Sequence, residues 1–390
     1  MKKIEDAGNL NNKRVLLRLD LNVPLKNGKI IDTTRVDKIL PTIYFLIQQK
    51  SKIIIISHIG RPKGKVDENL SMLPVCNYLS KKINKEVKLV NENIFNIDPN
   101  LFFKNDNSKI IFLENIRFYE QEEKNSEEFG KILSNFGDIY INDAFSCSHR
   151  AHASVDKITK FLPSYCGIQM NTEVTALKKV TSNIERPITC IIGGSKISTK
   201  IKVIKNLIPK FDNIVIVGGM ANSVLKQKGI NIGNSINEKD SYPIVEQIFS
   251  LAKKNNCKVI IPLDVAVGKK LEDKAKIKDL SEIQDDDMIL DIGPETIKLI
   301  NSILDNSKTV LWNGPAGYFE NPNFSVGSEA IAKKIVDLKN NIYSVAGGGD
   351  TIAVLNKTKA FEKLNFVSTA GGAFLEYLEG KEIPGIRALN

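Results

Sequence analysis

One pattern recurs along the whole chain. A short apolar run rich in Val and Ile is followed by a polar or glycine-rich turn, then by a segment with helical spacing. In the first half the runs are RVLLRLDLNV (14–23), KIIIISHIG (52–60), EVKLV (86–90), KIIFLENIRF (109–118) and DIYINDAF (138–145). In the second half they are PITCIIGGS (187–195), NIVIVGGM (213–220), KVIIPLDVAV (258–267), MILDIGP (288–294), TVLWNGPAG (309–317), NIYSVAGGG (341–349) and NFVSTAGG (365–372). Continuous Val/Ile runs predict strands buried on both faces, and helical stretches between them predict parallel sheets covered by helices. About a dozen such strands exceed one open sheet, so two α/β domains are expected. Met170, Val174 and Leu177 recur at helical spacing ahead of Pro187. A helix over 168–186 is therefore expected to join an N-terminal domain, 1–167, to a C-terminal domain, 187–377.

In open parallel sheets, ligands bind beyond the carboxyl ends of the strands. In the first half those ends carry Asp20 and Asn22, His58 and Arg61, Arg117, and then His149, Arg150 and His152, with Arg35 in the segment after the first strand. Four arginines and all three histidines of the chain thus fall at one edge. The second half has almost no arginine there and carries GGSK, GGM, DIGP, NGPAG, AGGGDT and TAGG instead.

Composition narrows the classes. The 390 residues are 42% hydrophobic and 26% charged, ordinary for a globular protein. No apolar run approaches the roughly 18 residues of a membrane helix, and MKKIEDAGNL lacks the apolar stretch of a secretory signal. The five cysteines are scattered singly with no CxxC pair, which argues against a disulfide framework and for a reducing cytoplasm. The net charge of +10 admits anionic partners, but the lysines mostly alternate with acids and no basic run is interleaved with aromatics. A nucleic acid or membrane partner is therefore not expected.

The stretch CSHRAHAS (147–154) admits three readings. Cys147, His149 and His152 could bind a metal, but Arg150 stands among them and no second Cys/His pair completes four ligands. The histidines could simply pack in a turn. As an anion cradle, Arg61, Arg117 and Arg150 can make forked bonds to a phosphate, with His58 and His149 or His152 as further donors. A small phosphorylated acid would suit four guanidiniums and Asp20.

On the glycine-rich side, GRPKGKV departs from the Walker spacing, and no GxGxxG follows a first strand. Gly347-Gly348-Gly349-Asp350-Thr351 does follow a strand and open a helix, where main-chain amides could take phosphate oxygens. Asp350 is explained there either by Mg²⁺ bridging to the phosphates or by simple helix capping. Lys196 and Lys200 are four apart at an expected helix start with Ile197, Ile201, Ile204 and Ile208 as its core face. That spacing would put both ammonium groups on one side, to serve phosphoryl transfer or merely to face solvent.

RLDLNVP, SHIGRPKG, LENIRF, HRAHAS, GGSKISTK, WNGPAGYFE, GGGDT and STAGGAFLE, in this order from about residue 14 to 385, resemble the phosphoglycerate kinases. The resemblance implies two Rossmann-like, three-layer lobes facing across a cleft. The first would hold 3-phosphoglycerate, the second MgATP or MgADP, and a segment of about 378–390 would return to the first. It implies Asp20, Asn22 and Arg35 around the acid's carboxyl and hydroxyl end, His58, Arg61, Arg117 and Arg150 around its phosphate, and Leu21, Ile59 and Gly60 as further substrate-binding residues. Lys196, Lys200, Arg35, Gly371 and Gly372 would surround the transferring phosphoryl group. Gly218, Gly219, Gly293 and Pro315 would form the adenine pocket, with Glu320 on the ribose. Asn313 and Lys200 would lie by the phosphates, and Gly348, Gly349, Asp350 and Thr351 would form the phosphate loop, with Asp350 on Mg²⁺.

The expected activity is reversible phosphoryl transfer by a cytoplasmic monomer whose lobes close on a hinge. A carboxylate acceptor needs no general base, so catalysis would rest on positioning and charge neutralisation. The competing readings are a non-catalytic two-lobed binder of phosphorylated acids and a metal-dependent hydrolase. Ser146, Cys147, Ser148 and Ala370 depart from the residues commonest in the family; if residue 370 needed φ > 0, alanine there would be costly.

Overall fold

The computed structural model describes residues 1–104 and 110–390. The run expected at 109–118 begins at Lys109, which lies outside the described residues. The chain divides into two compact units, Met1–Val174 with Glu382–Asn390, and Thr175–Lys381.

The N-terminal unit contains β1 (Arg14–Leu19), the short pair β2 (Leu25–Lys26) and β3 (Lys29–Ile30), β4 (Lys52–Ile56), β5 (Val87–Val90), β6 (Ile110–Leu113), β7 (Ile139–Asp143) and β8 (Ser164–Cys166). Six of them form a sheet in the order β5-β6-β4-β1-β7-β8, with every neighbour parallel. The period-two alternation explains why the runs are apolar throughout. Val15, Leu17, Ile53, Ile55, Phe112 and Ile141 pack on one face with the helices Thr34–Gln48 and Leu73–Ile83. Leu16, Ile54, Ile56, Ile111 and Tyr140 pack on the other with the helix Glu127–Ser134. The helix Thr34–Gln48 buries Val36, Ile39, Leu40, Ile43 and Leu46, a stripe at helical spacing.

From β1 the chain moves to β4 on one side, whereas β7 leads to β8 on the other. The loops after β1 and β7 therefore diverge and leave a crevice at the carboxyl edge. The end of β7 also anchors the helix Ile168–Thr181. The buried Asp143 carboxylate accepts from Thr42 Oγ1 at 2.5 Å and Met170 N at 2.7 Å, fixing the first turn of that helix. Burial raises the Asp143 pKa to about 6, against these hydrogen bonds. The helix ends five residues before the expected position 186, and the unit boundary falls inside it. The segment Glu382–Asn390 packs on the N-terminal unit: Gly385 N donates to Ser148 O at 2.9 Å, and Arg387 pairs with Asp156 at 3.0 Å.

The C-terminal unit contains β9 (Ile188–Ile192), β10 (Asn213–Ile216), β11 (Lys258–Ile260), β12 (Asp264–Gly268), β13 (Lys276–Asp279), β14 (Met288–Ile292), β15 (Thr309–Asn313), β16 (Tyr343–Gly347) and β17 (Phe366–Ser368). Its parallel sheet has the order β11-β10-β9-β15-β16-β17, and β13-β12-β14 form a separate antiparallel sheet. Two runs are thereby corrected. KVIIPLDVAV is two strands in two sheets, because Pro262 has no N–H for the ladder and parts β11 from β12. MILDIGP is β14, antiparallel rather than part of the parallel sheet. In this unit the chain leaves β9 towards β10 and β15 towards β16, so its crevice lies between β9 and β15.

Candidate active site

In the N-terminal unit the loops at the carboxyl edge of the sheet link Asp20, Asn22, Arg35, Gly60 and Arg117 by hydrogen bonds. Arg35 NH1 donates to both Asp20 oxygens, at 3.2 and 2.9 Å, and to Asn22 O at 3.2 Å. Asn22 Oδ1 accepts from Gly60 N at 2.9 Å, and Gly60 O accepts from Arg117 NH1 at 3.0 Å. The loops after β1, β4 and β6 are thus tied through one residue, Gly60. Asn115, fully buried, adds a second tie: its side chain accepts from Arg117 N and donates to Ile59 O and Leu70 O. Arg61 is exposed and Arg150 half-buried. Leu21 and Ile59 are buried in the apolar core, so their main chain is what they can offer a ligand.

Beneath this surface lies a buried polar network of Arg18, His58, Ser154 and Glu122, of which Glu122 lies outside the quoted motifs. Arg18 is 0% exposed, with Nε donating to Ser154 Oγ at 3.0 Å. Ser154 in turn donates to Glu122, also 0% exposed, from Oγ at 2.6 Å and from its main-chain N at 2.8 Å. A buried guanidinium and a buried carboxylate are tolerable together because each limits the other's desolvation cost. Arg18 NH2 also lies 3.1 Å from His58 Nδ1. A guanidinium can only donate, so Nδ1 accepts and the neutral His58 carries its proton on Nε2.

The charge of this edge therefore resides on arginine. Burial, then Arg18 and Arg117, hold the His58 pKa well below its ordinary value. Burial, then Arg117, Arg18 and Arg150, hold His152 at about 3. Unfolded imidazole takes up a proton near pH 6.5, whereas folded His152 stays neutral to about pH 3. In that window the unfolded state binds more protons, so stability falls as pH is lowered. His152 alone should remove about 1.4 kcal/mol between pH 7.5 and 5.5, with His58 acting in the same direction. Urea unfolding at the two pH values measures this, and His152→Gln should flatten the slope; an unchanged slope contradicts the assignment.

The metal and anion readings now separate. Cys147 is buried, with Sγ 3.9 Å from His58 Nδ1. Among the described residues no group of three or more His, Cys, Asp or Glu is arranged to hold a metal ion. A cavity of about 780 Å³ lies further along the same edge, but its charged lining residues are Glu68, Glu114 and Glu120. Those carboxylates disfavour an anion in that cavity.

In the C-terminal unit the β9/β15 crevice is made by main chain. A Cβ on Gly314 would lie 2.3 Å from Gly193 O, and one on Gly193 equally close to Pro315 O. Only glycines allow these two loops to approach so closely. Asn313, at the end of β15, donates from Nδ2 to Gly347 O at 2.6 Å and accepts from Lys200 Nζ. Thr351 Oγ1 accepts from Gly314 N at 2.7 Å, which ties the GGGDT loop to β15. The helix Gly349–Lys357 begins there, with Gly348 at its N-cap and no side-chain cap. Asp350 is exposed in its first turn and caps nothing, so the capping explanation for it fails.

A cavity of about 450 Å³ opens beside these loops, in the range of small-molecule sites. It brings together Gly218, Gly219, Pro315, Glu320 and Asp350 from the expected set. Its walls also include residues that sequence reasoning missed: Asn222, Ile236, Leu271, Met288, Leu290 and Tyr318. Gly293 is not among its lining residues; a Cβ there would strike the Asp264 carboxylate, which caps the helix Pro294–Asp305. Gly371 and Gly372 are exposed at the start of the helix Gly372–Leu378. The positive φ, +56°, belongs to Gly371 and not to Ala370, so alanine at 370 carries no such penalty.

The lysine geometry needs correction. The helix runs from Ile201 to Leu207, with Lys200 as its N-cap, so Lys196 and Lys200 do not share a helical turn. Lys196 is exposed; Lys200 is half-buried. Burial lowers the Lys200 pKa, opposed by Cys190 and the Asp350 carboxylate. Ile197, Ile204 and Ile208 are buried as expected, with Ile201 half-buried.

Comparisons with known proteins agree over nearly the whole chain. The family model for phosphoglycerate kinase matches residues 4–381. The phosphoglycerate kinase of Wolbachia pipientis wMel is 46% identical over 384 residues, 97% of this chain and 96% of its own. That of Xanthobacter flavus is 42% identical over 390 residues, covering 99% and 98%. The structure of phosphoglycerate kinase from Coxiella burnetii superposes with a TM-score of 0.92 at 39% identity, over 98% of this chain and 97% of that one.

Proposed function

Because the chain belongs to the phosphoglycerate kinase family, a phosphotransferase family with a carboxyl acceptor, we propose that its two crevices divide the substrates between them. Arg61, Arg117 and Arg150 take the phosphate of 3-phosphoglycerate, with His58 Nε2–H as a neutral donor. Asp20, Asn22 and Arg35 take its carboxyl and hydroxyl end. The nucleotide base enters the 450 Å³ cavity, with Glu320 by the ribose and Gly348, Gly349 and Thr351 by the phosphates. The observation that carries this division is the opposite make-up of the two crevices, one built of guanidiniums and the other of glycine main chain beside an apolar cavity.

In the step itself a carboxylate oxygen of the acid forms a bond to the terminal phosphorus of ATP. The bond from that phosphorus to the bridging oxygen breaks, and ADP departs with the electron pair. No proton has to move, so no general base is needed. Arg35, Lys196, Lys200 and the amides of Gly371 and Gly372 neutralise the group in transfer. This chemistry requires the two ligands to meet with water excluded, which the lobes achieve by closing.

Asp350 suits Mg²⁺ that is otherwise held by phosphates and water, since such sites need only one or two carboxylates. Bound there, Mg²⁺ supplies neutralisation of the phosphate oxygens. The five cysteines are buried free thiols, which suits a reducing compartment, and we read the enzyme as a cytoplasmic monomer.

A coupled assay of ADP formation from ATP and 3-phosphoglycerate tests the reading. Turnover should appear with Mg²⁺ and disappear when it is chelated. Binding of 3-phosphoglycerate with no heat of MgADP binding and no turnover would instead leave a non-catalytic binder of phosphorylated acids.

A further inference from the structure

Of the three residues between β7 and Arg150 that depart from the family's commonest ones, two have a local explanation. Ser148 Oγ donates to Ala144 O at 3.0 Å, and Ser148 O accepts from Gly385 N at 2.9 Å, so this residue shapes its own turn and seats the last segment. Cys147 is buried, and burial raises its thiol pKa. Ser146 differs. It is half-buried, and its hydroxyl reaches across the crevice from the β7 loop to donate to Asp20 Oδ2 on the β1 loop.

The geometry around Asp20 gives that bond its consequence. Oδ1 accepts from Asn22 N at 3.2 Å and from Arg35 NH1 at 3.2 Å, and Oδ2 accepts from the same Arg35 nitrogen at 2.9 Å. The terminal torsion of an aspartate is broad and roughly two-fold, so a carboxylate plane is set by its hydrogen bonds. Asn22 belongs to the same loop as Asp20, and Arg35 is a long side chain that must itself be positioned. Ser146 brings a short, neutral donor from the opposite wall. It sets the plane without adding charge that would compete with Arg35.

We infer that Ser146 is a positioning residue for the reaction: its hydroxyl fixes the Asp20 carboxylate, and through it the Arg35 guanidinium, across the β1/β7 crevice. The inference rests on reading Asp20 and Arg35 as the acid's carboxyl-end group. Ser146 touches no reacting atom in this scheme. Its contribution is pre-organisation, so its loss should weaken capture of the phosphorylated acid and leave nucleotide capture alone.

The test measures steady-state kinetics and thermal midpoints of Ser146→Ala, Ser146→Thr, Asp20→Asn and the Ser146→Ala/Asp20→Asn double variant. Ser146→Ala should raise KM for 3-phosphoglycerate about tenfold. Its KM for ATP should stay within about twofold and its thermal midpoint within about 2 °C. Ser146→Thr, which keeps the hydroxyl, should restore most of the affinity. In the Asp20→Asn background, Ser146→Ala should add little, because the two act through one contact.

If Asp20→Asn raises the acid KM while Ser146→Ala leaves it unchanged, the positioning role is overturned and the site reading stands. If Ser146→Thr is as poor as Ser146→Ala, packing and not the hydroxyl is responsible, and the inference also falls. If Asp20→Asn leaves the acid KM unchanged, Asp20 is not part of the acid site, and both are overturned.

Discussion

Replacing Lys196 with alanine is expected to lower kcat by about 10²–10³, the usual cost of removing one preorganised partner of transition-state charge. The side chain is exposed and takes no part in the core, so the folded state should be unaffected. Its proposed partner charge develops during transfer, and KM for either substrate should therefore change by only about twofold. Single-turnover kinetics separate the two: loss confined to the chemical step supports the role. An intact chemical step with weakened binding of either substrate would remove Lys196 from the transfer site. Lys200 is a less clean probe, because truncating it also strips Asn313 Oδ1 of its donor.

Arg150→Ala should act on the opposite substrate, raising KM for 3-phosphoglycerate about 30-fold while leaving KM for ATP nearly unchanged. A hydrogen bond to a charged group contributes about 1.5–3 kcal/mol, and a 30-fold change, about 2 kcal/mol, falls within that range. Arg150 is half-buried, so its removal leaves no buried partner charge of the kind that truncating Arg18 would expose. Arg150→Lys should recover only part of the loss, since an ammonium offers no planar fork. The checking measurement is a pair of titrations, acid and MgADP, on each variant by calorimetry. A large fall in MgADP affinity would overturn the assignment of the acid to the arginine crevice.

How far the sequence carries can be seen at particular residues. Val15, Ile53 and Ile141 read as parallel strands because burial on both faces leaves a continuous apolar run, and that cause is visible in one dimension. The arginines at strand ends are legible for the same reason: the sheet's polarity places every such end at one edge. Pro262 stands in plain view, but an apolar run on both sides of it masks the break between two strands in two sheets. The helix after β9 starts later than its spacing suggests, because periodicity does not show where a glycine turn stops and a cap begins. Arg18 is hidden by its own context, since Glu122, which balances it, lies far along the chain. Ile236, Leu271 and Tyr318 line the 450 Å³ cavity from loops that carry no period at all.

Gly385 has a consequence that reaches beyond packing. A Cβ there would lie 2.5 Å from the Ser148 Cβ, two residues from Arg150, so the segment Glu382–Asn390 underpins the loop proposed to hold the acid. Mutational tolerance in this tail should follow what an enzyme pocket permits and not what a frayed end permits. A substitution at Gly385 would then present itself, in a growth screen, as a fault in handling substrate.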